Sequence, residues 1–204
     1  MSRMGQQVRQ RVGVMGGSFD PPHIGHLLLA QDAQESLHLD RVVFVPAATA
    51  PLKPCPPVAS AEARLAMVRA AVAGRPAWEV SAWEHQQGGT SYSLHTACHL
   101  HEYFHGAELL WIIGADQLAQ LHAWHRIGEL AQRVTFAVAC RLGSLAGIRP
   151  AALDPAISLV ELPARRMDIS STEIRQRLAQ GAPVDLFLPP PLPDIIRRQG
   201  LYRP

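Results

Sequence analysis

The chain predicts an α/β fold: a doubly wound, mostly parallel sheet of about six strands with helices on both faces. Three observations carry this. Short apolar runs recur at 12–15, 41–46, 108–115 and 133–140, and runs of that kind are strands buried on both faces. Stretches with helical spacing lie between them, so neighbouring strands should be parallel and joined by right-handed crossovers. The first run passes directly into a Gly-Gly turn and a helix, and open α/β sheets collect ligands at that carboxyl edge.

Taken in order, 12–30 reads VGVMGGSFDPPHIGHLLLA. Gly16 and Gly17 let the backbone turn without a Cβ in the way of a ligand. Pro21 and Pro22 stiffen the loop before a helix over 24–37, whose apolar residues are Ile24, Leu27, Ala30, Ala33 and Leu37. His23 and His26 then share one face of the first helical turn. Two imidazoles, the Ser18 hydroxyl and free helix-start amides suit a phosphate. The Walker pattern is absent, and Gly13, Gly16 and Gly17 lack the spacing of the dinucleotide fingerprint.

The second strand leads into the proline-rich loop APLKPCPP at 50–57, where Lys53 is either a phosphate contact or a solvated surface lysine. Ser60 should cap an Ala-rich helix over 61–73, followed by a strand over 78–83. GGTSY at 88–92 reads as a connection, with Ser91 able to cap the next helix, 92–105. That helix carries two i,i+4 pairs, His95/His99 and His101/His105. They point about 200° apart and fit a polar surface better than a metal site. The fourth strand ends in Gly114, with Asp116 beyond it as an N-cap. Trp124 sits in 121–127, expected as a short polar helix rather than an apolar stripe, and core packing is the ordinary role of a tryptophan. The fifth strand places Arg141 just past its end. A loop is expected over 144–156 and a sixth strand over 157–162. At 169–177, ISSTEIRQR puts the hydroxyls of Ser170, Ser171 and Thr172 at a helix start with Arg175 one turn on, a second phosphate clamp. A proline-started helix ended by Gly200 closes the chain.

The 204 residues allow one domain over 1–204, with a flexible stretch at 1–10 and a helical C-terminal part from about 165 that carries the second clamp. Hydrophobic content is 48%, which is globular, and a net charge of +2 gives no reason to expect nucleic acid or a membrane surface as partner. The three cysteines show no CxxC and no disulfide framework. With no signal-like or membrane-length apolar run, a cytoplasmic protein is expected. A homo-oligomer is compatible with the sequence, which leaves the assembly open.

The string Gly-Gly-Ser-Phe-Asp-Pro-Pro-His-Ile-Gly-His, with ISSTxIR near the C-terminus, closely resembles the nucleotidylyltransferase superfamily. Within it the bacterial nicotinate-nucleotide adenylyltransferase family is the most similar, from Val12 almost to the end of the chain. The resemblance implies a Rossmann-like sheet and transfer of the adenylyl group of ATP to nicotinate mononucleotide, giving deamido-NAD and pyrophosphate in NAD biosynthesis. It implies His23 and His26 as catalytic residues. For ATP and phosphate it implies Gly16, Gly17, Ser18, Phe19, Asp20, Lys53, Gly114, Asp116, Arg141, Ser170, Ser171, Thr172 and Arg175. Ser91, Tyr92, Ser93, Trp124 and His125 would hold the nicotinate ring. Mg²⁺ would arrive with ATP on phosphate oxygens and water, with no protein metal ligand. Leu52 stands where relatives carry a His, and Ser18 where many carry a Thr. Three other readings stay open. HIGH is also a string of class I aminoacyl-tRNA synthetases, although no KMSKS follows. Another phosphate acceptor, such as nicotinamide mononucleotide or phosphopantetheine, would use the same first motif. A non-catalytic nucleotide sensor would keep binding without turnover.

Overall fold

The computed structural model describes residues 9–52, 55–140, 145–165 and 167–203. Lys53 and Arg141, two expected phosphate contacts, lie outside the described residues. Six parallel strands form one sheet in the order β3-β2-β1-β4-β5-β6: β1 (Arg11–Gly17), β2 (Arg41–Pro46), β3 (Trp78–Val80), β4 (Glu108–Gly114), β5 (Val134–Cys140) and β6 (Leu159–Pro163). The helices are α1 (Ile24–Ser36), α2 (Ala61–Val72), α3 (Trp83–Gln87), α4 (Ser93–Tyr103), α5 (Ala115–Ala119), α6 (Ile127–Ala131), α7 (Ser171–Ala179) and α8 (Leu192–Gln199). The doubly wound architecture is the one the apolar runs predict.

Alternation along each strand explains why both faces need cover. Met15, Val42, Phe44, Leu110 and Ile112 enter one core with α1, α2 and α8. Val12, Val14, Val43, Val45, Leu109, Trp111 and Ile113 enter the other, with α4 and α6. Each fully buried Val, Leu or Ile side chain contributes roughly 1.5–3 kcal/mol, so two such layers hold the sheet rigid. The chain reverses direction of travel across the sheet between β1 and β4, both of which pair in parallel. A cleft therefore opens beyond their carboxyl ends, at the switch point.

Local chemistry sets the ends. Ser60 caps α2, its hydroxyl accepting from the Ala63 amide at 3.2 Å. Gly200 ends α8 in the left-handed region, φ 62°. Several boundaries differ from the sequence expectation. β3 stops at Val80, because Ser81 accepts from the Trp83 amide and turns the chain into α3. α4 ends at Tyr103 and His105 has φ 49°, so His101 and His105 do not share a helix. Ser91 does not cap α4, since the N-cap position is Tyr92. Asp116 is likewise not a cap. Gly114 holds that position, and its amide donates to the Gln117 side chain at 3.1 Å. The segment expected as a polar helix at 121–127 is a short 3-10 turn, then extended backbone at Trp124, then Arg126 in the left-handed region before α6. Among the described residues no helix is long and apolar enough to cross a membrane.

Candidate active site

A cavity of about 850 Å³ lies across the carboxyl ends of β1, β2 and β4, with α7 along one side. That is within the size range of small-molecule and cofactor sites. Of the expected site residues, Gly16, Gly17, Ser18, Phe19, Asp20, His23 and His26 line it from the first motif. Ser170, Ser171, Thr172 and Arg175 line it from the second, and Ser91, Tyr92, Ser93, Asp116, Trp124 and His125 from the loops beyond α3 and β4. Two motifs separated by about 150 residues in the chain thus face one space. Ser171 donates its hydroxyl to the Pro21 carbonyl at 2.8 Å, and Arg175 Nη1 donates to the Asp20 carbonyl at 2.7 Å.

The histidines are ordered by the helix start. His23 is the N-cap of α1 in extended backbone, and its amide donates to His26 Nδ1 at 3.2 Å. An accepting Nδ1 puts the proton of neutral His26 on Nε2. The two rings lie 3.8 Å apart by centroid. Gly25 makes this arrangement feasible, because a Cβ there would sit 3.0 Å from His23 Nδ1. His23 is only 6% exposed, and burial lowers its pKa from the ordinary imidazole value to about 4. It is therefore neutral near pH 7. Among the described residues the buried Ser18 hydroxyl and His23 Nδ1 have no hydrogen-bond partner. Buried polar atoms without partners are rare, and both belong to residues lining the cavity.

Several expected roles differ in the structure. The Asp20 carboxylate is not turned to a ligand: it accepts from the amides of Val58 and Ala59 at 2.7 and 3.0 Å and from the Tyr202 hydroxyl at 2.8 Å. Asp20 is thus a brace that ties the first motif to the start of α2 and to the C-terminus. Burial, with Asp20 alongside, pushes the Tyr202 phenol well above its ordinary range, so it stays a donor. The Phe19 side chain is buried between His26 and Phe44, at ring distances of 5.0 and 6.0 Å. Only its backbone, at φ 48°, shapes the loop. The α1 amides are not all free, because Ile24 donates to the Phe187 carbonyl at 3.0 Å. Ser170 Oγ is occupied as the α7 cap, accepting from the Glu173 amide at 3.1 Å.

At the other end, Tyr92 and His125 pack ring to ring at 4.2 Å. Trp124 is half-buried, edge-on to Phe136 at 6.2 Å while lining the cavity, so core packing and a ligand face coexist. His99 instead stacks on Trp83 at 4.8 Å, away from this space. Among the described residues no group of three or more His, Cys, Asp or Glu is placed to hold a metal. Sequence reasoning missed Glu84, which lines the cavity, and Tyr202 and Arg64, which stand behind it. Arg64 did carry a signal: it sits on the same helical stripe as Met67, Val68 and Ala71, all buried.

Residues 14–177 match the cytidylyltransferase-like family model. A probable nicotinate-nucleotide adenylyltransferase of Opitutus terrae is 45% identical over 95% of this chain and 98% of its own. One of Bordetella avium is 43% identical over 96% and 99%. A Plasmodium falciparum nicotinic acid mononucleotide adenylyltransferase, solved in complex with NaAD, superposes with a TM-score of 0.71 at 16% identity, covering 95% of this chain and 97% of that one. The chain belongs to the nicotinate-nucleotide adenylyltransferase family of the cytidylyltransferase-like proteins.

Proposed function

We propose that the chain transfers the adenylyl group of ATP to nicotinate mononucleotide, giving deamido-NAD and pyrophosphate. The carrying observation is the pair of buried, unpartnered polar atoms in the cavity, Ser18 Oγ and His23 Nδ1, beside the clamp of Thr172 and Arg175. A monophosphate has a second pKa of about 6, so the nucleophile is already mostly dianionic at neutral pH and needs no general base. One of its oxygens forms the bond to the ATP α-phosphorus. The bond from that phosphorus to the bridging oxygen breaks, and pyrophosphate leaves with the electron pair. The protein's part is positioning and stabilisation of negative charge. His26, donating from Nε2, and His23 would hold the triphosphate at the reacting phosphorus. Ser18, Thr172 and Arg175 would hold the outer phosphates, and Gly16 and Gly17 would admit them close to the backbone. Asp116, exposed at the cavity, would face the nucleotide.

Trp124 would stack on the pyridine ring, an electron-poor face against an electron-rich indole. Tyr92, Ser93 and His125 would surround it. Mg²⁺ fits this frame as a companion of ATP, because the Asp20 carboxylate is already engaged and phosphate oxygens with water can supply its ligands. A cytoplasmic setting, where both substrates are at hand, is part of the same reading.

The test is pyrophosphate release from Mg-ATP with nicotinate mononucleotide, beside nicotinamide mononucleotide. Strong turnover with the acid and little with the amide supports the reading. Equal turnover removes the acid preference. No release with either, from folded protein that binds ATP, overturns the reaction.

A further inference from the structure

Among the described residues Arg64 is the largest fully buried side chain, 2% exposed, and it is not part of the cavity wall. Its fork reaches two loops at once. Nη1 donates to the Ser18 carbonyl at 2.8 Å and to the Ala47 carbonyl at 2.7 Å, and Nη2 to the Ala48 carbonyl at 3.3 Å. Ser18 belongs to the loop after β1, the phosphate end. Ala47 and Ala48 belong to the loop after β2. From there the contacts continue. The Ala48 amide donates to Ser91 Oγ at 2.9 Å, the Ser91 amide donates to the Thr49 carbonyl at 2.9 Å, and Thr49 and Thr90 form a parallel bridge. Ser91 also faces the buried Glu84, whose carboxylate accepts from Thr96 Oγ1 at 2.5 Å. One unbroken series of polar contacts thus runs from the phosphate loop to the string that begins the ring end.

We propose that Arg64 is a positioning residue that sets the phosphate end and the ring end of the cavity at one fixed separation, through the carbonyls of Ser18, Ala47 and Ala48 and the Ser91–Glu84–Thr96 contacts. The inference rests on the adenylyl-transfer reading, since only a two-substrate reaction needs the two ends held in mutual register. Guanidinium suits this role because it is planar, keeps its charge when buried and offers several donors in a rigid fork, which a lysine ammonium does not. Burial pulls its pKa below the ordinary arginine value, with Asp20 opposing that effect. A side chain that only filled the α2 stripe would be served by Leu or Met, without taking a charge out of water.

In-line transfer is sensitive to displacements of about 1 Å, which can cost about 10²-fold in rate while leaving each substrate's own contacts intact. The variants are Arg64→Lys and Arg64→Met, with folding checked by circular dichroism. ATP and nicotinate mononucleotide are titrated singly by calorimetry, and turnover is measured with both present. The expected result is kcat lower by about tenfold or more, with each single-substrate Kd within about threefold of wild type and Lys recovering part of the loss. Unchanged turnover per folded molecule overturns the proposal, as does collapse of both dissociation constants in step with kcat. Thr96→Val tests the far end without touching Arg64. It should raise KM for the mononucleotide several-fold with KM for ATP unmoved, and no change in either overturns the link to the ring end. Wild-type protein that binds ATP but releases no pyrophosphate overturns the adenylyl-transfer reading and this inference with it. Active wild type with unaffected Arg64 variants overturns the positioning role alone.

Discussion

At the phosphate end of the cavity Ser18, Asp20 and His23 are each less than a tenth exposed. At the ring end His125 is exposed and Tyr92 and Trp124 are half-buried. The first group is held by the C-terminal tip of β1, the capped start of α1 and cross-braces from Tyr202 and Arg175. The second is carried by loops, a 3-10 turn and the first residues of α4. On the proposed reaction, charge stabilisation explains the contrast. Donors aimed at developing charge act most strongly when they are dry and need no rearrangement at the moment of reaction. A planar ring needs a face and some room, which half-exposed aromatics supply.

The contrast breaks most visibly at His26. His26→Ala removes a donor proposed to meet charge at the α-phosphorus. It should lower kcat by about 10²–10³-fold, the usual cost of one such donor. Trp124 and Tyr92 stay in place, so the dissociation constant for the mononucleotide should hold within about threefold. Pyrophosphate release and a calorimetric titration measure the two quantities. A variant that keeps kcat and loses mononucleotide affinity would reverse the assignment of the two ends.

His23 tests dryness directly. Its pKa falls to about 4 through burial, against an unfolded value near 6.5. Between those values the unfolded chain binds the extra proton and the folded one does not, so stability rises with pH across that window. The stability it contributes is complete above pH about 6.5 and lost as pH falls to about 4, a difference on the order of 3 kcal/mol. Urea unfolding of wild type and His23→Gln at several pH values isolates it. The variant should lose less stability on acidification, and two parallel curves would show that His23 is solvated rather than buried.

Much of this frame is legible in the chain. The four apolar runs mark the central strands, and Gly-Gly-Ser followed by Pro-Pro-His marks the strand, turn and helix start. Hydroxyls with an arginine mark α7. What is not legible is long-range. Nothing near Asp20 says that its carboxylate turns inward to a tyrosine 182 positions later, or that Phe19 buries its ring. α3 escapes because five residues, WEHQQ, show too little helical period to separate from a strand end. The polar neighbours of Trp124 suggest a helix there. The left-handed Arg126, held by Glu129 through two contacts of 2.6 Å, breaks the segment instead. These features depend on partners that sequence order does not bring together.

Trp124 sharpens the ring end, where effects should be smaller. Trp124→Ala removes a stacking face worth about 0.5–1.5 kcal/mol beyond its buried area, so KM for the mononucleotide should rise about tenfold. The KM for ATP should hold within about twofold, because the ring contacts of Trp124 and His125 go to Phe136, Tyr92 and His95 rather than to the phosphate loop. Trp124→Phe keeps an aromatic face of lower area and should recover part of the loss. The edge contact with Phe136 offers the competing explanation, in which the indole supports the core beneath α6 and both substrates suffer together. Equal rises in both KM values with a lowered melting temperature would favour core support. A rise confined to the mononucleotide, with Phe intermediate, assigns the exposed face of the indole to the ring. It would also show that the soft end of the cavity discriminates by contact area where the dry end acts by charge.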